Sequence, residues 1–197
     1  SYTGKIFESA MASLDQVHHS LDMSAVNRAV DLLTQAKKIA FFGLGSSAAV
    51  AHDAMNKFFR FNVPVIYSDD IVLQRMSCMN CDDDDVVVII SHTGRTKSLV
   101  ELAQLAREND AMVIALTSAG TPLAREATLA ITLDVPEDTD IYMPMVSRLA
   151  QLTVIDVLAT GFTLRRGAKF RDNLKRVKEA LKESRFDKEP FVPSDNQ

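Results

Sequence analysis

The chain has 197 residues, a formal net charge of −4 at pH 7 and a hydrophobic content of 47%. This length suits one domain with a sizeable core. The acidic balance argues against a segment that binds nucleic acid by itself, because such domains carry a basic excess. The apolar runs are shorter than the roughly 20 residues of a membrane-spanning helix, and the chain does not open with a secretory signal. We therefore expect a soluble globular domain.

Hydrophobic periodicity predicts strands and helices that alternate along most of the chain. Two helices come first, at 5–19 and 24–36, with Ser24 as the N-cap of the second. The predicted strands are 38–42, 64–67, 86–90, 112–116 and 129–133. The further predicted helices are 48–61, 71–80, one that includes 99–106, 146–164 and 168–185. Residues 187–197 are expected to form a flexible C-terminal tail.

Strands that alternate with helices indicate a parallel sheet with helices on both faces. Because parallel crossovers are right-handed, 2-1-3-4-5 is the simplest strand order. The predicted fold class is therefore α/β, a three-layer, doubly wound, five-stranded parallel sheet with extra helices at both ends. Ligands of such sheets bind beyond the carboxyl ends of the strands, at the switch point between strands 1 and 3.

A turn rich in hydroxyl groups, Ser91-His92-Thr93-Gly94-Arg95-Thr96, directly follows the aliphatic third strand. A strand, a tight turn and a helix N-terminus together form an anion cradle, because the first N–H groups of a helix lack partners and its dipole favours negative charge. Ser91, Thr93 and Thr96 add hydroxyl donors, and Gly94 lets backbone approach a ligand closely. The sequence therefore predicts a phosphate-binding turn.

A second turn, Gly43-Leu44-Gly45-Ser46-Ser47, follows the first strand, and the predicted strand order brings Ser46 and Ser47 to the same crevice. With Ala48 it also matches the G-x-G-x-x-G/A fingerprint of dinucleotide sites, and Asp69 ends the second strand where a ribose-binding acid belongs. A second phosphate-type turn and the lack of a separate substrate domain count against that alternative. Helix packing and capping alone remain another role for this turn.

The sequence gives little evidence for a metal site or a redox site. The two cysteines form the C-x-x-C pair Cys78 and Cys81, but a zinc site would need two further ligands. We expect reduced, partly buried thiols on a helix and hence a cytoplasmic protein. The acidic run 82–85 lacks the spacing of a calcium loop and is predicted to be a solvated loop. No metal and no cofactor are expected.

The two turns together, Gly45-Ser46-Ser47 and Ser91 to Thr96, resemble the sugar isomerase (SIS) domain over about residues 24–165. This resemblance implies a flavodoxin-like fold and a phosphosugar ligand. Matched position by position, it implies that Ser91, Thr93 and Thr96 hold the phosphate, with His92 in the intervening place. It also implies that Ser47 contacts the sugar end of the ligand.

Two flanking stretches, 48–54 and 57–60, resemble the RpiR class of bacterial transcription regulators. Such regulators carry a helix-turn-helix domain ahead of the SIS domain. The resemblance implies that residues 1–186 are the effector domain and that the DNA-binding domain is absent, in keeping with a chain that starts at Ser1. It further implies a role in hexose catabolism and, as ligand, 2-keto-3-deoxy-6-phosphogluconate. The ligand's carboxylate needs a cationic or N–H partner, for which Arg148 and Arg95 are candidates.

An isomerase is the main alternative to a sensor. Aldose–ketose isomerisation needs a positioned base, and the segment after strand 2 offers no His or Glu. Asp156 lies well inside the helix after strand 5. Glu137, Asp138 and Asp140 could reach the crevice, which keeps the isomerase open. We nevertheless predict a sensor without catalytic residues.

In a regulator, ligand binding must change the geometry of a dimer. The apolar helices 5–19 and 146–164 offer surface for self-association, so we predict a homo-oligomer, a dimer or larger. DNA would be bound through the absent domain alone, and no membrane partner is expected. The basic segment 165–178 contains interleaved acids, which favours a solvated helix face.

Overall fold

Five parallel strands form the centre of the fold, seen in a computed structural model that describes residues 1–137 and 145–185. The strand order is β2-β1-β3-β4-β5, as predicted. Apolar residues fill the three central strands because helices cover both faces of the sheet. The strands are β1 (Lys38–Gly43), β2 (Val65–Ser68), β3 (Asp85–Ser91), β4 (Met112–Thr117) and β5 (Leu129–Thr132).

Helices precede, connect and follow the strands. Most agree with the predicted segments within a few residues. The helices of the described residues are α1 (Tyr2–Ser20), α2 (Met23–Gln35), α3 (Ser46–Phe59), α4 (Ile71–Met79), α5 (Lys97–Glu108), α6 (Pro122–Glu126), α7 (Val146–Arg165) and α8 (Gly167–Lys182). The short α6 was not predicted, because five residues are too few to show helical periodicity.

The starts of α2 and α3 differ from the prediction in how the helix end is capped. Asp22, not Ser24, caps α2, because its carboxylate accepts a hydrogen bond from the Ser24 backbone N–H at 2.8 Å. Helix α3 begins at Ser46 instead of residue 48. The position before it is Gly45, whose φ of +58° suits glycine and gives no side-chain cap.

The sheet separates two apolar layers. One packs α2, α3 and α7 against the face that carries Val86, Val88 and Ile90, and the other packs α4, α5 and α6 against Val87 and Ile89. Alternate residues of β3 thus enter opposite layers, which is why residues 86–90 are all aliphatic.

The cysteines and the acidic run occupy ordinary structural positions. Cys78 and Cys81 are free and buried. Burial raises the pKa of the Cys78 thiol to about 12, so the thiol stays protonated and weakly nucleophilic at neutral pH. Of the acidic run, 82–84 are exposed as predicted, but Asp85 is buried and pairs with Lys38 Nζ at 2.9 Å. A buried carboxylate at a strand start needs such a partner.

Some predictions fall on parts of the chain that the structure does not describe. Asp138, Asp140 and the expected tail 187–197 lie outside the described residues. Among residues 1–137 and 145–185, every helix is too short or too polar to cross a bilayer.

Candidate functional site

The two predicted turns leave neighbouring strands at the same edge of the sheet. β1 pairs with β3, and Gly43 lies beside Ile90. The helices that follow them go to opposite faces, because α3 packs in the layer of α7 and α5 packs in the layer of α4. A crevice therefore opens between the turns, where open parallel sheets bind ligands. The structure brings Ser46 and Ser47 to the same edge as Ser91 to Thr96, as the strand order predicted.

The turn after β3, residues 91–96, leaves a helix end open. Ser91 is buried and its Oγ accepts a hydrogen bond from Gly94 N at 3.1 Å, so its own proton is still available for donation. Thr93 and Thr96 are exposed. Thr96 is the N-cap of α5, yet its side chain does not cap the helix. The first N–H groups of α5 and the Thr96 hydroxyl are thus arranged as an anion-binding end.

Gly94 is required by the packing beneath this turn. Its φ is +59°, and a Cβ there would lie 2.5 Å from Thr117 Oγ1 and 2.2 Å from Thr121 Oγ1. Its carbonyl accepts a hydrogen bond from Leu123 N of α6 at 3.0 Å. The space beside its Cα is filled by protein, so the tight turn depends on α6. Sequence reasoning missed this support, although Thr121-Pro122 is a typical helix start.

His92 is half-buried within the same turn. Its backbone carbonyl accepts hydrogen bonds from Ser118 N at 3.3 Å and from Ser118 Oγ at 2.8 Å. These bonds tie the turn after β3 to the turn after β4. The backbone of residues 91–94 is therefore held in place by the protein before any ligand binds.

The turn after β1 begins α3 and carries the other two predicted site residues. Ser46 is half-buried and Ser47 is buried, and Ser47 N donates to Leu44 O at 3.1 Å. Helix α3 has no side-chain cap. Ala48 N likewise donates to Gly45 O at 3.1 Å, so what this turn offers a polar ligand is the hydroxyl groups of Ser46 and Ser47.

The N-terminus of α7, in contrast, is occupied by a carboxylate of the chain itself. Glu137 accepts hydrogen bonds from Met145 N at 2.5 Å, from Val146 N at 2.8 Å and from Ser147 Oγ. Burial alone would raise the pKa of Glu137, but these bonds and the nearby His92 outweigh it, so the pKa lies below its ordinary value. The sequence indicated Glu137 only as a residue that could reach the crevice.

Arg95 and Arg148 are both exposed. Arg95 belongs to the turn after β3 and Arg148 to the first turn of α7. Among the ion pairs of residues 1–137 and 145–185, none involves either side chain. Both guanidinium groups are therefore unengaged by the described carboxylates, but no contact shows that either one binds a ligand.

Comparison with known proteins gives a consistent result. The SIS domain family matches residues 32–161 of the chain. The chain is 91% identical over all 197 residues to the HTH-type transcriptional regulator HexR of Escherichia coli K12, of which it covers 68%. It is 57% identical over 186 residues to HexR of Pseudomonas aeruginosa, a match that covers 94% of the chain and 65% of that protein. The chain thus spans about two thirds of the length of both relatives.

A solved structure supports the fold. The Vibrio vulnificus NanR protein complexed with ManNAc-6P matches with a TM-score of 0.85 at 23% identity, over 95% of this chain and 71% of that one. The two sequence relatives are transcriptional regulators. They confirm the predicted likeness to RpiR-class regulators and the prediction of a regulator instead of an enzyme.

We predict that Gly94→Ala destabilises the turn far more than Gly120→Ala does. Both glycines have positive φ, but a Cβ at Gly120 meets nothing within 4 Å. Gly120→Ala should cost about 1 kcal/mol of backbone strain. Gly94→Ala should cost about 2–4 kcal/mol, because it adds a clash with Thr117 and Thr121. Urea unfolding of both variants measures the difference, and equal losses would contradict this account of Gly94.

We also predict that Glu137 stabilises the protein in a pH-dependent way. Because its folded-state pKa is lowered, its contribution is present above the unfolded value, about pH 4.3, and is lost as the pH falls through the folded pKa. Glu137→Gln should cost about 1–2 kcal/mol at neutral pH, and the deficit should shrink in acid.

Urea unfolding at several pH values measures this deficit. Glu101→Gln, which breaks an exposed pair with Arg75, is the control and should cost less than about 1 kcal/mol. A deficit for Glu137→Gln that does not change with pH would show that the charge of Glu137 is not what stabilises α7.

Proposed function

This chain belongs to the SIS domain family, and on that premise we propose that it is the effector-binding domain of a bacterial regulator of hexose catabolism. In this proposal residues 1–186 belong to this domain. The helix-turn-helix domain that binds DNA lies elsewhere in a longer, cytoplasmic protein. The supporting observation is the turn of residues 91–96, where exposed threonines and an uncapped α5 form an anion-binding end.

The ligand that fits this crevice is a phosphorylated sugar acid. Its phosphate is bound by Ser91, Thr93, Thr96 and the first N–H groups of α5, since a helix N-terminus with hydroxyl donors favours a multiply charged oxyanion. Gly94 shapes the turn, since its N–H already donates to Ser91 Oγ, and His92 adds a ring donor. The NanR structure was solved with a phosphosugar, which supports this ligand class.

The other end of the ligand faces the turn after β1. In this proposal the hydroxyl groups of Ser46 and Ser47, at the start of α3, hydrogen-bond the sugar hydroxyls. The N–H groups at the start of α7 are already bonded to Glu137, so a ligand carboxylate has to be neutralised by a side chain. Arg148, with Arg95, serves this purpose because it is exposed and has no described ion pair. The proposed effector is 2-keto-3-deoxy-6-phosphogluconate.

A sensor suits this site better than an isomerase. Proton abstraction from carbon needs a base whose pKa lies near the working pH. Glu137, a described carboxylate of the loop before α7, has a lowered pKa and three hydrogen bonds that hold it against α7. A carboxylate stabilised in this way is a weak base. Its role is to stabilise the start of α7, not to transfer protons.

We predict that this domain binds 2-keto-3-deoxy-6-phosphogluconate more tightly than glucose 6-phosphate, and that NAD does not bind. Thr96→Val removes an exposed hydroxyl that does not cap α5 and should weaken both sugar phosphates about tenfold, the factor for one hydrogen bond to a charged group. Arg148→Gln should weaken the keto acid alone, because glucose 6-phosphate carries no carboxylate.

Titration calorimetry of the 197-residue chain measures these affinities. Thr163→Val, near the far end of α7, is the matched control and should leave binding unchanged. Binding of NAD in place of sugar phosphates would support a dinucleotide site. Turnover of a sugar phosphate that is lost in Glu137→Gln would support an isomerase, and no binding of any phosphorylated compound would refute the proposal.

The regulator we propose is a homo-oligomer. Helix α1 exposes Tyr2, Ile6, Phe7 and Met11. Beside it, α2 and α7 line an apolar groove of about 470 Å³ that includes Met23 and Val157. Helix α7 also contacts α1, α2 and α3. Water-exposed apolar side chains of this extent are typical of an interaction surface, and a second copy of the chain is the simplest partner.

We predict that the chain sediments as a dimer or larger at micromolar concentration. Phe7→Glu should shift it toward the monomer, because a charge replaces an apolar contact at the interface. Met79→Glu, a change on the exposed surface of α4, is the control and should leave the assembly unchanged. Sedimentation velocity measures both, and a monomeric wild-type chain would refute the predicted assembly.

A further inference from the structure

Gln74 is a fully buried amide in the apolar layer of α4 and α5. Its Nε2 donates hydrogen bonds to Gly43 O at 3.2 Å and to Ser68 O at 2.7 Å. Its Oε1 is buried and has no hydrogen-bond partner in the described part of the chain. Burying an amide whose oxygen has no hydrogen-bond partner costs free energy. We therefore expect its two donated hydrogen bonds to have a specific structural role.

The two acceptors lie where β1 and β2 end. The register of this pair stops at Phe42 and Ser68, and Gly43 and Ser68 are the last residues of their strands. Beyond this point the sheet no longer provides N–H partners on that side of β1. The amide of Gln74 bridges the two carbonyls and so fixes where the two strands separate.

The position of Gly43 determines the position of Ser47. A Cβ on Gly43 would lie 2.7 Å from Ser47 O, so the two backbones are already in close contact. The turn between them begins α3 and carries Ser46 and Ser47. Movement of the Gly43 carbonyl therefore has to move this turn. The turn after β3 is held differently, by Ser91 Oγ, Ser118 and α6.

We propose that Gln74 is a positioning residue for the half of the crevice that binds the sugar. It holds the end of β1 so that Ser46 and Ser47 face the ligand, and it has no direct part in holding the phosphate. This inference rests on the proposed function, because it assigns separate supports to the two ends of one phosphosugar.

The test uses Gln74→Met, which keeps the length of the side chain but cannot donate. We expect the affinity for glucose 6-phosphate to fall about tenfold, as for one lost hydrogen bond. The affinity for inorganic phosphate, measured by competition, should change less than about twofold. Gln74→Glu should lose more affinity for the sugar phosphate, because it places a carboxylate oxygen against two carbonyl oxygens.

Two controls complete the experiment. Cys78→Ala removes a fully buried side chain from the same helix without touching the carbonyl bridge. It should lower the stability and leave both affinities unchanged. Thr96→Val should weaken inorganic phosphate and glucose 6-phosphate together, because its hydroxyl belongs to the phosphate end.

Each outcome decides the proposal. Unchanged affinity for glucose 6-phosphate in Gln74→Met would refute it, as would an equal loss for inorganic phosphate. A Gln74→Met chain that does not fold would show that the amide serves the whole fold, which also rejects a local role. A wild-type chain that binds inorganic phosphate but no sugar phosphate would refute the proposed function instead, and this inference with it.

Discussion

The parallel pairing of β1 with β3 is the constraint on which the rest of the structure depends. It places the first and third strands side by side at the centre of the sheet although α3, β2 and α4 lie between them in sequence. The helices that follow the two strands must then pack on opposite faces, and their N-termini separate at the sheet edge. A crevice between two helix N-termini follows from this topology, before any particular side chain is considered.

The polar groups around this crevice differ in how they are satisfied. Several buried and half-buried groups are bonded within the protein: Ser91 Oγ accepts from Gly94 N, the His92 carbonyl from Ser118, and Glu137 from the start of α7. The Thr96 hydroxyl is exposed and does not cap α5, and Thr93 Oγ1 is exposed and accepts only a long hydrogen bond of 3.4 Å from Arg95 N. A site built in this way is preorganised, so little ordering has to accompany binding. This preorganisation requires tight packing, most clearly at Gly94.

Sequence patterns predicted the sheet order and the location of both turns because these follow from periodicity and from the handedness of crossovers. The patterns could not show what supports the turns. Gln74 is a polar residue in an apolar helix face, and its two acceptors are distant in sequence. Helix α6 is too short for periodicity to reveal. Asp22 and Ser24 are both good capping residues, and only the backbone decides between them.

Helix α7 links the crevice to the outer helices of the fold. With 20 residues it is about 30 Å long. Glu137 holds its first turn, while Phe162 near its other end packs between Phe61 and Phe170. Such a helix acts as a lever: a tilt of about 5° pivoted at one end displaces the other by about 2.6 Å over this length. A small tilt of α7 that begins at the crevice would therefore displace the aromatic cluster at the far end of the helix the most.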